Sequence, residues 1–462
     1  MKTKRTRRTS RFLSVFLLVT LLLGLCAAPS AAALEDPNIQ AEAALLVDPE
    51  NGAIAYAKNE HKQLYPASLT KIMTALLTLE AVDSGKLKMD QKITASPTAF
   101  QNLAEDGSTG GIKPGEVMTV EQLLYCMMVV SANEACSILA ETVAGSIPEF
   151  VDAMNKKAKE LGCENTHFMN PSGLHDNQHY TSAWDLYLII KEAMTHPDFM
   201  RICDTGDITL PATNMSKERH LHSTNYLLSV FKSRGYRNKN AHGIKTGHTS
   251  EAGYCLASSA AKSGLHFISI VMGTERLELP GNEIRTMSFY ETNRLFNWAF
   301  ANFSYRTVAK STESVQDIDV SLSHTADRVA VHPAEDVNIL LPSDLNPEKL
   351  ERTIHLKKDP AEAPIQEDEV LGTMTFSYDG QTYATVDLQA VSAVEASKLL
   401  TVLHKIKLFF SKTAVKVVLV LIVILLVARL VWKIIFSRRR YRSGRRSGRN
   451  SGGGYRGRRW RF

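Results

Sequence analysis

Ser68 and Lys71 stand three positions apart in Pro66-Ala67-Ser68-Leu69-Thr70-Lys71, at the start of a strongly apolar run. A three-residue step on an α-helix puts two side chains on one face, one turn apart, so the lysine amine can reach the serine hydroxyl. A serine hydroxyl becomes an effective nucleophile only when a base takes its proton, and a desolvated lysine with a lowered pKa can be that base. The same spacing also arises by chance, with Ser68 capping a helix and Lys71 an ordinary surface charge. The residues that follow argue for burial. Leu69, Ile72, Met73, Leu76, Leu77 and Leu79 cover most of a helical circumference, and a helix that is apolar nearly all round lies in a core. A lysine in its first turn then needs a partner or a task. Ser131 and Asn133 interrupt a second apolar stretch. They either face a cavity shared by two buried helices or simply cap the helix that follows.

The elements that must position these residues can be read in outline. Leu45–Asp48, Pro49-Glu-Asn-Gly52 and Ala53–Ala57 predict a β-hairpin. The Ser68 helix runs to about Asp83 and ends at Ser84-Gly85. Residues 106–115 form a Gly-rich loop without the G-K-[ST] ending of a nucleotide-phosphate site. Thr119-Val-Glu-Gln122 is a capping box opening a helix to about Val130, and a second helix is expected from Glu134 to about Ala144, with Asn133 able to cap it. Glu164–Phe168 reads as a β-run before the turn Asn170-Pro-Ser-Gly-Leu174, and Thr181–Leu186 leads into a helix to about Thr195. Gly243-Ile-Lys245-Thr246-Gly247, Tyr254–Ala260 and Leu265–Gly273 read as strands of an antiparallel sheet, and a helix is expected over Ile284–Phe300. The fold class is therefore α+β, an antiparallel sheet with a helical subdomain. From about Arg306 the pattern changes to short alternating runs at 318–322, 329–331, 338–341, 354–356, 370–376 and 381–387, a small all-β domain.

Three segments concern location. The basic stretch 1–11, apolar Phe12–Cys26 and small-residue Ala27–Ala33 have the layout of a secretory signal peptide over 1–33, with the mature chain beginning near Leu34. Bulky Leu25 speaks against a lipoprotein at Cys26. Val417–Ala428 has no polar side chain, and with its flanks the segment 413–436 reaches the roughly 20 residues that span a bilayer. The tail 437–462 holds eleven arginines and no acid, which places it in the cytoplasm by the positive-inside rule. A helix lying in the membrane interface is the alternative for 413–436, and 396–412 forms an amphipathic linker before it. The tail's Arg-Gly character resembles RNA-binding tracts, although a topology anchor meeting anionic lipid explains it as well. The chain's net charge of +6 hides an acidic body: 35–411 carries 33 basic residues against 48 acidic ones. Nucleic acid is thus an unsuitable partner for the body. Its five cysteines (126, 136, 163, 203, 255) are too few and too scattered for a disulfide scaffold or a zinc site.

Taken in order, Ser68-Leu-Thr-Lys71, Ser131-Ala-Asn133 and Lys245-Thr-Gly247 resemble the motif triple of penicillin-binding proteins and serine β-lactamases, with Ala132 where that pattern has Asp. The chain resembles the low-molecular-weight penicillin-binding proteins that act as D-alanyl-D-alanine carboxypeptidases, over about 40–395. Pro66–Leu77, Asn170–Leu174, Gly243–Thr249 and Ala252-Gly-Tyr254 carry the likeness. The resemblance implies a β-lactamase/transpeptidase-like catalytic domain over 34–303, a β-rich domain over 304–395 and a C-terminal anchor helix. It implies that Ser68 attacks the carbonyl between two terminal D-alanines, that Lys71 takes its proton, and that Ser131 relays a proton to the leaving amine. Lys245 would keep Lys71 neutral and, with Thr246 and Gly247, bind substrate at its carboxylate. Asn133 would hold the substrate amide, and the backbone N–H groups of Ser68 and His248 would form the oxyanion hole. The implied partners are peptidoglycan stem peptide, β-lactams and the membrane, with no cofactor and no metal. The Glu-x-x-Leu-Asn loop of fast β-lactamases has no match in Glu164–Phe168, so penicillin is expected to acylate Ser68 and leave slowly. Open alternatives are a β-lactamase or D,D-endopeptidase of the same fold and a non-catalytic wall-binding homologue. A metallopeptidase would need ligands, and His220/His222 and His175/His179 are the only close histidine pairs, with no His-Glu-x-x-His.

Overall fold

The structure, a computed structural model, describes residues 34–442 apart from 105, 230 and 232–234. The expected signal peptide, 1–33, and most of the arginine-rich tail, 443–462, lie outside the described residues. The chain divides into two compact units, the first running to Val308 and including Asn338–Glu351 and Phe376–Ala384.

The first unit is built on a five-stranded antiparallel sheet. Its strands are β1 (Ala43–Val47), β2 (Ile54–Lys58), β3 (Ala241–Thr249), β4 (Gly253–Lys262) and β5 (Leu265–Thr274), in the order β2-β1-β5-β4-β3. Because side chains alternate along a strand, β1 feeds two cores. Ala43, Leu45 and Val47 join Ile268, Ile270 and Met272 on one face, whereas Ala44, Leu46, Leu256, Phe267 and Val271 pack on the other.

The first face is covered by helices α1 (Lys71–Asp83), α2 (Val120–Val129), α3 (Asn133–Ala144), α4 (Ile147–Glu160), α5 (Ala183–Ala193) and α6 (Pro197–Cys203). The second face receives Phe289, Leu295 and Phe296 of α7 (Met287–Asn302). Ten of the thirteen α1 residues are buried, as its apolar circumference predicts. Each buried Leu or Ile contributes roughly 1.5–3 kcal/mol. Its polar members are satisfied: the Thr74 hydroxyl donates to Pro171 O (2.7 Å) and that of Thr78 to Thr74 O (2.7 Å). The Thr119–Gln122 capping box opens α2 as expected.

Four expectations need correction. Ser68 does not start the α-helix; it sits in a 3-10 turn, Ala67–Thr70, that feeds α1. Asn133 does not cap α3. It is already helical, Ala132 occupies the cap position without a side-chain bond, and the Asn133 carboxamide is committed elsewhere. The helix expected from Ile284 begins at Met287, because Glu283–Thr286 pairs with Arg276–Leu279 in a hairpin turning at Pro280-Gly281. Glu164–Phe168 forms no strand, only the single bridge of His167 to Tyr180.

The expected short runs of the C-terminal region are strands Gln316–Ser321, Arg328–Pro333, Val337–Pro342, Glu351–Leu356, Val370–Tyr378 and Gln381–Ala390. Helix α8 (Lys398–Ser411), capped by the Ser397 hydroxyl, and helix α9 (Thr413–Arg442) follow. The apolar part of α9, Thr413–Ile435, is 23 residues long with none of it buried. At 1.5 Å per residue that is about 34 Å, enough for a hydrocarbon core of about 30 Å.

Candidate active site

Lys71, in the first turn of α1, is fully buried. Its Nζ lies 2.8 Å from Ser68 Oγ, 2.8 Å from Asn133 Oδ1 and 2.6 Å from the carbonyl oxygen of Ser172. The 3-10 turn supplies Ser68, α3 supplies Asn133, and the turn 170–174 supplies the carbonyl. Asn170 shapes that turn by accepting the backbone N–H groups of Ser172, Gly173 and Leu174 on one oxygen, at 3.2, 2.8 and 3.1 Å. Burial pushes the Lys71 pKa below the ordinary lysine value, against a smaller upward pull from Cys136 and Glu134.

Lys245 in β3 is also fully buried and donates to Thr246 O at 2.9 Å. Burial, and then the charge of Lys71, lower its pKa to about 7. A cation–cation effect is therefore present, and it falls on Lys245, whereas burial leads for Lys71. Thr246 Oγ1 pairs with Thr224 Oγ1 at 2.7 Å. Ser131 takes a left-handed backbone (φ +67°) between α2 and α3, a sparsely populated conformation for a residue with a side chain. Two contacts hold this break: Ala132 N–H donates to Cys126 O and Asn133 N–H to Ser108 O. The buried Glu134 carboxylate accepts Thr109 Oγ1, Gly110 N–H and Ile112 N–H, which fastens the Gly-rich loop beside it.

These elements border a cleft of about 950 Å³ lined by Ser68, Ser131, Asn133, Thr246, Gly247 and His248, among others. Lys71 and Lys245 lie behind that wall, with Lys71 one hydrogen bond from Ser68 and Asn133. His248 stacks on Tyr254, with ring centroids 4.0 Å apart, and burial lowers its pKa. The cleft also includes Thr224, His175 and Arg276, and the Lys71 contact set includes the Ser172 carbonyl. Sequence reasoning missed these four; a main-chain acceptor leaves no residue-type signature, although the Asn-Pro turn that shapes it was visible.

The close histidine pairs are occupied otherwise. His220 meets Thr209 Oγ1, His222 meets Asp207 and stacks on Phe231, His175 packs on Tyr65, and His179 meets Thr70. Among the described residues the one grouping with metal-ligand spacing is Glu80, Glu192 and His196. There Glu80 is bound to Lys157 and His196 to Asp83 in the last turn of α1. All five cysteines of the described chain are free and buried.

A serine hydroxyl held on a buried lysine, beside a sheet strand and a break between two helices, defines the fold and site class of the low-molecular-weight penicillin-binding proteins. Penicillin-binding protein 5 of Haemophilus influenzae has the same fold, with a TM-score of 0.65 and 30% identity, covering 79% of this chain and 100% of that one. D-alanyl-D-alanine carboxypeptidase DacF of Bacillus subtilis is 33% identical over 398 residues, 84% of this chain and 97% of its own length. DacA of Escherichia coli is 30% identical over 379 residues, 81% and 89% of the two chains. The family description "D-alanyl-D-alanine carboxypeptidase" matches residues 30–276, and "Penicillin-binding protein 5, C-terminal domain" matches residues 303–396. The chain belongs to the D-alanyl-D-alanine carboxypeptidase family of serine peptidases.

Proposed function

We propose that the chain removes the terminal D-alanine of peptidoglycan stem peptides through an acyl-enzyme on Ser68. The observation that carries this reading is the Lys71 amine 2.8 Å from Ser68 Oγ. A neutral amine has two N–H groups and one lone pair. Asn133 Oδ1 and the Ser172 carbonyl take the two N–H groups, which leaves the lone pair facing the serine proton. As Ser68 Oγ bonds to the penultimate D-alanine carbonyl carbon, its proton passes to Lys71, and the N–H groups of Ser68 and His248 receive the developing oxyanion. Ser131 relays a proton to the leaving amine as the C–N bond breaks, and water then hydrolyses the ester. Asn133 also orients the substrate amide, while Thr246 and Gly247, in the cleft lining, bind the terminal carboxylate with Lys245 acting from behind them. A β-lactam amide enters the same position and acylates Ser68.

The acidic body disfavours a polyanion partner. In this reading 1–33 directs export and is removed, 34–303 is the catalytic domain and 304–395 the small β-rich domain. The segment 396–412 rests as an amphipathic helix, 413–436 crosses the membrane once, and 437–462 remains in the cytoplasm. The test is D-alanine release from a pentapeptide ending in D-Ala-D-Ala. Release should persist in the presence of a chelator and yield a trimmed peptide. Loss of release on chelation, or cross-linked product in place of the trimmed peptide, would overturn the proposal.

A further inference from the structure

His179, one of the four histidines in the close pairs, has 2% of its surface exposed and stands in a directed hydrogen-bond chain. Met169 N–H donates to His179 Nδ1 at 3.2 Å, and His179 Nε2 lies 2.8 Å from Thr70 Oγ1, which donates to Ala67 O at 2.9 Å. A backbone N–H can only donate, so Nδ1 is bare and the ring proton sits on Nε2. The Thr70 hydroxyl then accepts from His179 and gives its own proton to Ala67 O. Only a neutral ring fits, because a proton on Nδ1 would meet the Met169 N–H. Burial holds the His179 pKa down at about 4, with Lys71, His167 and His175 adding to the effect and Asp176 opposing it.

The far end of this chain is the peptide group preceding the nucleophile. Ala67 O and Ser68 N–H belong to one planar unit, so fixing the oxygen's direction fixes the direction of the N–H. Ala67 is held at φ +46°, a conformation that an alanine avoids without support. Two glycines clamp the unit. A Cβ on Gly173 would lie 1.8 Å from Ala67 O, and one on Gly247 would lie 3.2 Å from Ser68 N. The oxygen thus faces the 170–174 turn and the nitrogen faces β3. Resting on the proposed role of Ser68 N–H as an oxyanion donor, we infer that His179 is a positioning residue that aims this N–H through Thr70 and the Ala67 carbonyl. Hydrogen bonding at the carbonyl also polarises the same amide and strengthens its N–H as a donor.

The experiment is acylation of the full chain by benzylpenicillin, reading separately the final fraction acylated, the saturating rate and the half-saturating concentration. His179→Leu should label Ser68 to completion with a saturating rate about 10- to 100-fold lower, less than the ~10²–10³ of a donor removed outright. Its half-saturating concentration should stay within about threefold, since the N–H acts mainly on the transition state. His179→Gln offers an acceptor and a donor and should recover to within about fivefold of wild type. Thr70→Val, which keeps shape and loses the hydroxyl, should match His179→Leu, and the double variant should be no slower than either. The inference is overturned if His179→Leu acylates at the wild-type rate, or if only its final labelled fraction falls. A Gln variant as slow as the Leu variant overturns it too. Absence of label on Ser68 in the wild-type chain would instead reject the nucleophile assignment itself.

Discussion

Lys71 and Lys245 are two cations' worth of side chain in one desolvated region. The Lys71 charge, after burial, lowers the Lys245 pKa, whereas burial is what lowers that of Lys71. In Lys245→Met the ascending limb of the acylation–pH profile should therefore stay in place, and a limb moved to lower or higher pH would show that the Lys245 charge also sets the Lys71 pKa. The same substitution reports on stability. With a folded pKa of about 7, the buried Lys245 has lost its proton above that pH, whereas the unfolded chain keeps it until about pH 10.4. The unfolded state thus binds more protons in this window, and stability rises with pH by up to about 1.4 kcal/mol per pH unit from this group. Urea midpoints measured from pH 7 to 9 should lose that slope in Lys245→Met.

Between elements, the decisive contact is the packing of the 170–174 turn on the 3-10 turn that carries Ser68. Gly173→Ala would put a methyl 1.8 Å from Ala67 O at a left-handed φ of +84°, so the turn must withdraw and take the Ser172 carbonyl from Lys71. Acylation should fall by about two orders of magnitude, while a stability loss of about 1–3 kcal/mol leaves the chain folded; acylation at the wild-type rate would refute the role given to this turn. Much of this layer was legible in the sequence. The apolar circumference of α1 announced a buried helix, Thr119 and Gln122 announced the start of α2, and the runs of β3 to β5 announced a sheet. What periodicity could not show was where a polar side chain spends its hydrogen bonds. Asn133 looked like a cap and is a lysine acceptor, because capping and tertiary bonding draw on the same carboxamide. Ile284 looked like a helix residue and is in a hairpin, since a short apolar alternation fits both periods. The Ser172 carbonyl and the His179 chain were illegible for a simpler reason. They join residues roughly a hundred positions apart through main-chain atoms or a lone histidine.

At the scale of the whole molecule, an acidic body of 35–411 precedes an apolar helix flanked by cations. A chain ending at Ala396, without α8 and α9, should leave the membrane fraction and keep D-alanine release per molecule. Retention in the membrane would show that the anchor lies elsewhere. The central claim is that one residue, Ser68, carries the acyl group for substrate and β-lactam alike. Mass spectrometry of the intact chain after benzylpenicillin, followed by peptide mapping, tests it most directly. The account predicts one adduct per chain, located on Ser68 and absent from Ser68→Ala. An adduct that survives in Ser68→Ala, or maps to another residue, would contradict it.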